Sequence, residues 1–314
     1  MTRGGNGTSV KDTIKYFDMD AQLMPGLAAL IIGKRCSGKS ILMLDIISRM
    51  NKWFNFGLAL TPTQSSRAKF ASCMPDVMID KQSPDRLEAF VTLINSLYDR
   101  ATNQGKDTRK TYLLCDDTAY DEKFMRCKTL SEIFLNGRNF GCTCILVLQY
   151  LMKVGPDLRG NADFVFVFWD NNSKNQDKIW EFWFNMMPKK TFKEVFSECT
   201  RDYGVLVMDV RRSATSRDWH DCVYWYKARQ PEDISAFTLC DADFFRLNDF
   251  CKVDDSEDRK MRDATQDRVW RLGPDGRIFD APTWVQRQSK ISSRATNDDD
   301  DDDDAVEIEE EEDE

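Results

Sequence analysis

Apolar and polar positions fall into short blocks along this chain. Residues 27–32 form an unbroken apolar run, and residues 41–50 follow with apolar positions at helical spacing. Further apolar runs at 57–61, 111–116, 142–149 and 162–169 read as strands buried on both faces. Between them, residues 84–103 read as an amphipathic helix opened by Ser83 as cap and Pro84 at its first position. Residues 121–136 read as one helix, and residues 172–187 and 189–200 as two helices broken at Pro188. Apolar strands separated by helices predict an α/β fold with a mostly parallel sheet covered on both faces. Residues 203–210 and 222–226 read as two more strands, joined by a basic loop with Arg211, Arg212 and Arg217 and added as a hairpin at the sheet edge. Beyond Gln230 the pattern weakens, with a helical segment at 241–262 and an irregular surface stretch at 273–293. No internal repeat is evident. The expected organisation is a flexible N-terminus at 1–13, a main domain at 14–230, a partly helical extension at 231–297 and a disordered acidic tail at 298–314.

Charge changes the picture of that tail. Residues 298–314 carry 14 acids and no Lys or Arg, so residues 1–297 have a net charge of +5 against −9 for the whole chain. A segment of this composition cannot bury enough apolar surface to fold. It reads as a solvating tail, as a nucleic-acid mimic competing for the chain's own basic surface, or as a dock for a basic partner. The longest apolar runs are far shorter than the ~20 residues of a membrane helix, and residues 1–13 lack the apolar core of a secretion signal. The expectation is an intracellular protein without membrane association. The ten cysteines are scattered, with no CxxC pair, and read as reduced and mostly buried thiols. Cys142 and Cys144 sit two apart on one strand face, which points to core packing. His220 is the only histidine, so no multi-His metal site is possible.

The candidate chemistry begins with the octapeptide Gly33-Lys34-Arg35-Cys36-Ser37-Gly38-Lys39-Ser40, set between the apolar run and the first helix. This is a P-loop. Its backbone N–H groups wrap phosphates while the following helix presents its positive N-terminus. Lys39 reaches the β and γ phosphates of a bound ATP, and Ser40 ligates Mg²⁺. The second motif, Tyr112-Leu113-Leu114-Cys115-Asp116-Asp117, reads as a Walker B strand. It delivers Asp116 to the Mg²⁺ shell at the carboxyl end of the sheet, and Asp117 to the position that polarises attacking water. A second acid belongs to enzymes that hydrolyse nucleotide with their own carboxylate. Small-molecule kinases need none, because the substrate supplies the nucleophile. The next strand ends in Gln149, a neutral amide able to orient water beside the γ-phosphate.

The stretch from Gly137-Arg138-Asn139-Phe140-Gly141 through Cys144 to Gln149-Tyr150, with Pro156-Asp157-Leu158-Arg159-Gly160-Asn161-Ala162-Asp163 after it, resembles the FtsK/HerA superfamily. More narrowly, it resembles the genome-packaging ATPases of large double-stranded DNA viruses, in order and spacing from about residue 27 to 226. The resemblance implies an additional-strand RecA-like P-loop fold. It assigns Asp117 as the catalytic acid, Gln149 as the sensor, and Arg138 as an arginine reaching a neighbouring subunit's nucleotide. Arg159 matches the second arginine after the sensor strand. The alternative for both arginines is a surface ion pair. The sequence departs from the family in the bulky Arg35 and Cys36 of the loop, and in Asn139, where a basic residue is frequent. The implied activity is ATP hydrolysis coupled to movement of double-stranded DNA into a capsid by a homo-oligomeric ring, with a capsid or portal-region protein as partner. The expected location is the virion or the host-cell site of virus assembly. A non-packaging translocase or helicase of the same superfamily, and a P-loop nucleotide kinase, are the alternatives. Candidate DNA contacts are Lys106, Arg109, Lys110, Lys189, Lys190, Lys193, Arg211, Arg212 and Arg217, which read equally as a solvated face.

Overall fold

A computed structural model describes residues 10–117, 121–149, 151, 154–246, 268–272 and 278–282. Its strands are β1 (Lys15–Tyr16), β2 (Ala28–Ile32), β3 (Phe56–Leu60), β4 (Ile79–Asp80), β5 (Thr111–Cys115), β6 (Cys142–Leu148), β7 (Phe164–Val167), β8 (Gly204–Asp209), β9 (Val223–Lys227), β10 (Arg268–Leu272) and β11 (Ile278–Pro282). The first nine form one sheet in the order β1-β9-β8-β7-β2-β6-β5-β3-β4. All neighbours run parallel except β8, which is antiparallel to both β7 and β9. Every residue of β2, β3, β5, β6, β7 and β8 is buried, which is why these runs are apolar without alternation. Ile32 pairs with Leu148, and Cys115 with Leu146, so β2, β6 and β5 end along one edge.

The helices in chain order are α1 (Met19–Gln22), α2 (Lys39–Met50), α3 (Gln64–Ala71), α4 (Pro84–Asn103), α5 (Glu122–Met125), α6 (Lys128–Asn136), α7 (Pro156–Asn161), α8 (Ser173–Ile179), α9 (Lys189–Cys199) and α10 (Val210–Ser213). Helix α4 has the bounds expected from its cap, with the Ser83 side chain accepting the Arg86 N–H. The single helix expected at 121–136 is two. Asp121 caps the first by accepting from the N–H groups of Lys123 and Phe124, and Cys127, in extended conformation, separates it from the second. The helix expected at 172–187 stops at Ile179 and continues as a π turn, Trp180–Phe184, whose Trp180 indole donates to the Met187 carbonyl at 2.8 Å.

The expected hairpin of β8 and β9 is present but is not the edge, because β1 pairs beyond it. Its connection is also not a free basic loop. Arg211 and Arg212 lie in α10 and pair with the fully buried Asp209, which caps that helix. Leu239, Cys240 and Phe244 are buried, Phe244 stacking on Phe56, so the folded unit continues past Gln230. The helix expected at 241–262 is described only at 243–246, and the rest of it lies outside the described residues, as do the N-terminal stretch 1–9 and the acidic tail. The stretch expected to be irregular at 273–293 contains β11, which pairs antiparallel with β10 as a separate two-stranded ribbon. The signal for it was present as Gly-Pro-Asp-Gly between two apolar runs.

Nine cysteines among the described residues are free. Burial pushes the thiols of Cys73, Cys142, Cys199 and Cys240 up to about 12. Among the described residues no helix is long and apolar enough to cross a membrane.

Candidate nucleotide site

The loop between β2 and α2 is shaped by where side chains are missing. A Cβ on Gly33 would sit 2.7 Å from Ser37 Oγ and 2.8 Å from Phe168 Cβ, so only glycine lets the chain turn there. Gly38 takes a φ of 99° as the N-cap of α2 and offers no side-chain cap, which leaves the first N–H groups of the helix directed at the loop. Cys36 is also left-handed, at φ 62°. The Lys39 ammonium donates to the Lys34 carbonyl at 2.6 Å and is buried at the floor of the loop. Burial holds it below its usual range, against the attraction of Asp117 and Asp116. Ser37 Oγ is buried with no hydrogen-bond partner.

These residues open onto a cavity of about 780 Å³. Arg35, Cys36, Ser37, Gly38, Lys39 and Ser40 line one side of it, with Asp116, Asp117 and Gln149 across from them. Lys34 does not point into it. Its side chain pairs with Asp170 at 3.0 Å and contacts Asn171, so of this residue only the backbone faces Lys39.

Asp116 follows β5 and is held by its own backbone. Its N–H donates to the Leu60 carbonyl at 3.0 Å, and its carbonyl accepts from the Gln82 amide at 3.0 Å. Burial raises its carboxyl above the usual range, partly offset by a hydrogen bond from Ser66 and by Lys69. Asp117 adopts φ 56°, a strained turn that faces its side chain toward the neighbouring strand. There the Gln149 amide donates to Asp117 Oδ1 at 2.6 Å.

Sequence reasoning missed a third wall. Thr63, Ser66 and Lys69, spaced by three around α3, face the cavity beside Asp116. The signal was a Thr after the strand at 57–61, and it is Thr63 that caps α3 by accepting the Ser66 N–H at 3.2 Å. Tyr203, Lys227, Ala228 and Gln230 form the remaining wall and had no local signature.

A buried unpartnered hydroxyl, an uncapped helix N-terminus and a buried ammonium suit a polyphosphate. The Ser40 hydroxyl and the Asp116 carboxylate are hard oxygen donors of the kind Mg²⁺ takes together with phosphate oxygens.

Arg138 and Arg159 lie elsewhere. Arg138 precedes β6 whereas Gln149 follows it, and seven residues of strand put about 23 Å between the two ends. Its guanidinium pairs with Asp163 Oδ1 at 3.0 Å, and Asp163 Oδ2 accepts the Ala28 N–H at 2.8 Å. The Arg138 side chain remains 55% exposed. On α7, the Arg159 guanidinium lies 3.9 Å over the Phe182 ring. Neither arginine lines the nucleotide cavity of its own chain.

The candidate DNA contacts are divided by their partners. Lys189 and Lys193 both pair with Asp177. Lys106, Arg109, Lys110, Lys190 and Arg217 make no ion pair among the described residues.

A strand, a glycine-bounded loop and a helix, facing an acid-tipped strand across one intervening strand, define a P-loop NTPase of the additional-strand, RecA-like type; here β6 is the strand between β2 and β5. Over residues 15–193 the chain matches the family described as Poxvirus A32 protein, and it belongs to that family. This agrees with the resemblance of its motifs to FtsK/HerA-type viral packaging ATPases. Relatives include the uncharacterised protein 015R of Frog virus 3, 27% identical over 219 residues, covering 68% of this chain and 64% of that protein. The uncharacterised protein L437 of Acanthamoeba polyphaga mimivirus is 26% identical over 226 residues, covering 70% of this chain and 78% of that one. This chain thus spans less than two thirds of the Frog virus 3 protein's length. Among solved structures, the genome packaging NTPase B204 from Sulfolobus turreted icosahedral virus 2 in complex with AMPPCP aligns with 66% of this chain and 100% of its own, at TM-score 0.47 and 17% identity.

Proposed function

We propose that this protein is an ATP-driven motor that moves double-stranded DNA and packages a viral genome into its capsid. The observation that carries the reading is the Asp117–Gln149 hydrogen bond, 2.6 Å long, at the edge of the cavity that the P-loop lines. It provides a carboxylate to accept a proton from water and an amide to fix that carboxylate's direction. A nucleotide kinase has no use for such a pair. Lys39 and the loop N–H groups hold the phosphates, and Ser40 and Asp116 hold Mg²⁺, which when bound neutralises charge on the phosphate oxygens. Asp117 and Gln149 then orient the attacking water.

Arg138 is too far from its own cavity and is half-exposed at the opposite end of the sheet. This supports a ring of identical subunits in which it reaches a neighbour's nucleotide, with Arg159 on the same interface. The likeness of residues 137–163 to the packaging branch favours packaging over other translocation, with a capsid or portal-region protein as partner and the virion or its site of assembly as location. The decisive experiment is the ATPase rate with and without duplex DNA. Stimulation by duplex supports the motor, whereas a rate indifferent to DNA but raised by a nucleoside acceptor would establish a kinase. Virus carrying Lys39→Ala should then yield empty capsids.

A further inference from the structure

The P-loop strand β2 divides the edge on which the cavity lies. Asp116, Asp117 and Gln149 stand on the β6 and β5 side, where the terminal phosphate is handled on the reading given above. The other side belongs to β7, β8 and β9. Because β8 is antiparallel to β7, its start reaches this same edge, where Gly204 pairs with Lys227. Tyr203, just before it, and the segment Lys227–Gln230 therefore wall the end of the cavity farthest from the acids.

Tyr203 is an unusual residue to find there. Its side chain is 65% exposed, and it follows Asp202 with both residues left-handed, at φ 65° and 52°. Two successive strained non-glycine residues are costly, and an exposed ring gains no burial to offset them. Gly204 pins the turn, since a Cβ there would meet the Cys199 carbonyl at 2.2 Å. The ring comes within 3.6 Å of the position a Cβ would take on Gly38, so it stands against the phosphate loop while the residue stays largely exposed. The opposing segment is fixed, for Arg229 is bound through its N–H and its guanidinium to the buried Asp45 of α2.

We propose that Tyr203 is the platform on which the nucleobase of the bound nucleoside triphosphate stacks. This rests on the reading of the P-loop as a triphosphate site and adds the base end to it. A flat, largely exposed ring lining the cavity at the end opposite the acids suits a flat aromatic ligand group.

The test compares Mg²⁺-dependent binding of ATP and of inorganic tripolyphosphate to the full chain. Tyr203→Gly removes the ring at a left-handed position that glycine adopts freely, so the fold is retained. It should weaken ATP binding by about tenfold and leave tripolyphosphate binding unchanged, while Tyr203→Phe binds both as wild type does. Unchanged ATP affinity in Tyr203→Gly, or equal losses for ATP and tripolyphosphate, would overturn the stacking platform alone. If the wild-type chain binds neither ligand, the P-loop reading falls and the platform with it.

Discussion

Asp117 sits in a backbone conformation that few acids adopt, and the hydrogen bond from Gln149 fixes where its free oxygen points. Replacing it by Asn keeps the shape and an acceptor oxygen for the Gln149 amide but removes the base. Asp117→Asn should bind ATP as wild type does while hydrolysis falls by about 10² or more, a split measured by nucleotide binding alongside turnover. Wild-type turnover would remove Asp117 from the mechanism. Its neighbour behaves differently. Burial raises the Asp116 carboxyl, so the folded state binds its proton more tightly than the unfolded chain does. Stability is therefore lost as pH rises from the ordinary carboxylate range, near 4, through the raised value. Asp116→Asn should melt at a higher temperature than wild type at pH 7, show no advantage below pH 4, and lose Mg²⁺-dependent hydrolysis. The place of both acids at the cavity was legible in the sequence, from an apolar strand ending in Asp-Asp after a P-loop. The outward turn of Lys34 was not, because its partners Asp170 and Asn171 come from a strand end more than a hundred residues later.

Helix α2 joins the phosphate loop to the far wall of the cavity through Asp45, which is fully buried. Burial by itself would raise its carboxyl, but hydrogen bonds from Tyr226 and Arg229 outweigh this and hold it below the usual range. The Tyr226 hydroxyl lies 2.5 Å away and Arg229 Nε 2.7 Å away, so β9 and the segment after it are tied to the helix that begins at Lys39. Asp45→Ala should cost about 2–3 kcal/mol, below the ~3–5 kcal/mol of a fully buried broken pair, because Arg229 is one third exposed. It should also raise the KM for ATP. With a depressed pKa, this stability is present above the ordinary carboxylate range and is lost as pH falls through the folded value. The gap between wild type and Asp45→Ala should thus close below pH 4 in thermal melts, and a gap that persisted there would separate the contribution from ionisation. At this scale the sheet was legible wherever strands were buried on both faces. The two-residue strands β1 and β4, and the split between α5 and α6, were not, because pairing partners and a local cap decide them rather than periodicity.

The whole molecule carries its nucleotide motifs at one end of a sheet and Arg138 at the other, and its charge in two unequal parts. On the ring reading proposed above, Arg138, about 23 Å from its own Gln149 by strand length, acts on another copy. Mixing Arg138→Ala subunits with Lys39→Ala subunits should restore part of the ATPase activity that each lacks alone, because mixed interfaces combine an intact P-loop with an intact arginine. A mixture as inactive as its parents, with ring assembly intact, would reduce Arg138 to its ion pair with Asp163. The charge distribution was plain in the sequence, whereas the pairing of four of the nine basic candidates was not, since Asp177 and Asp209 neutralise them only in the fold. Lys106, Arg109, Lys110, Lys190 and Arg217 are the remaining candidates for DNA phosphates, and on the mimic reading of the tail the 14 acids of residues 298–314 compete for them. Deleting Asp298 to Glu314 turns a net charge of −9 into +5 and touches no nucleotide motif. Basal ATPase activity should therefore stay as it is. Duplex DNA should bind more tightly to the truncated chain, with the difference greatest at low salt and fading as the Debye length shrinks to about 8 Å at 0.15 M. A salt titration of DNA affinity for the two chains measures this directly. Equal affinities at every salt concentration would show that the tail does not compete with DNA, and would turn attention to a basic capsid protein as its partner.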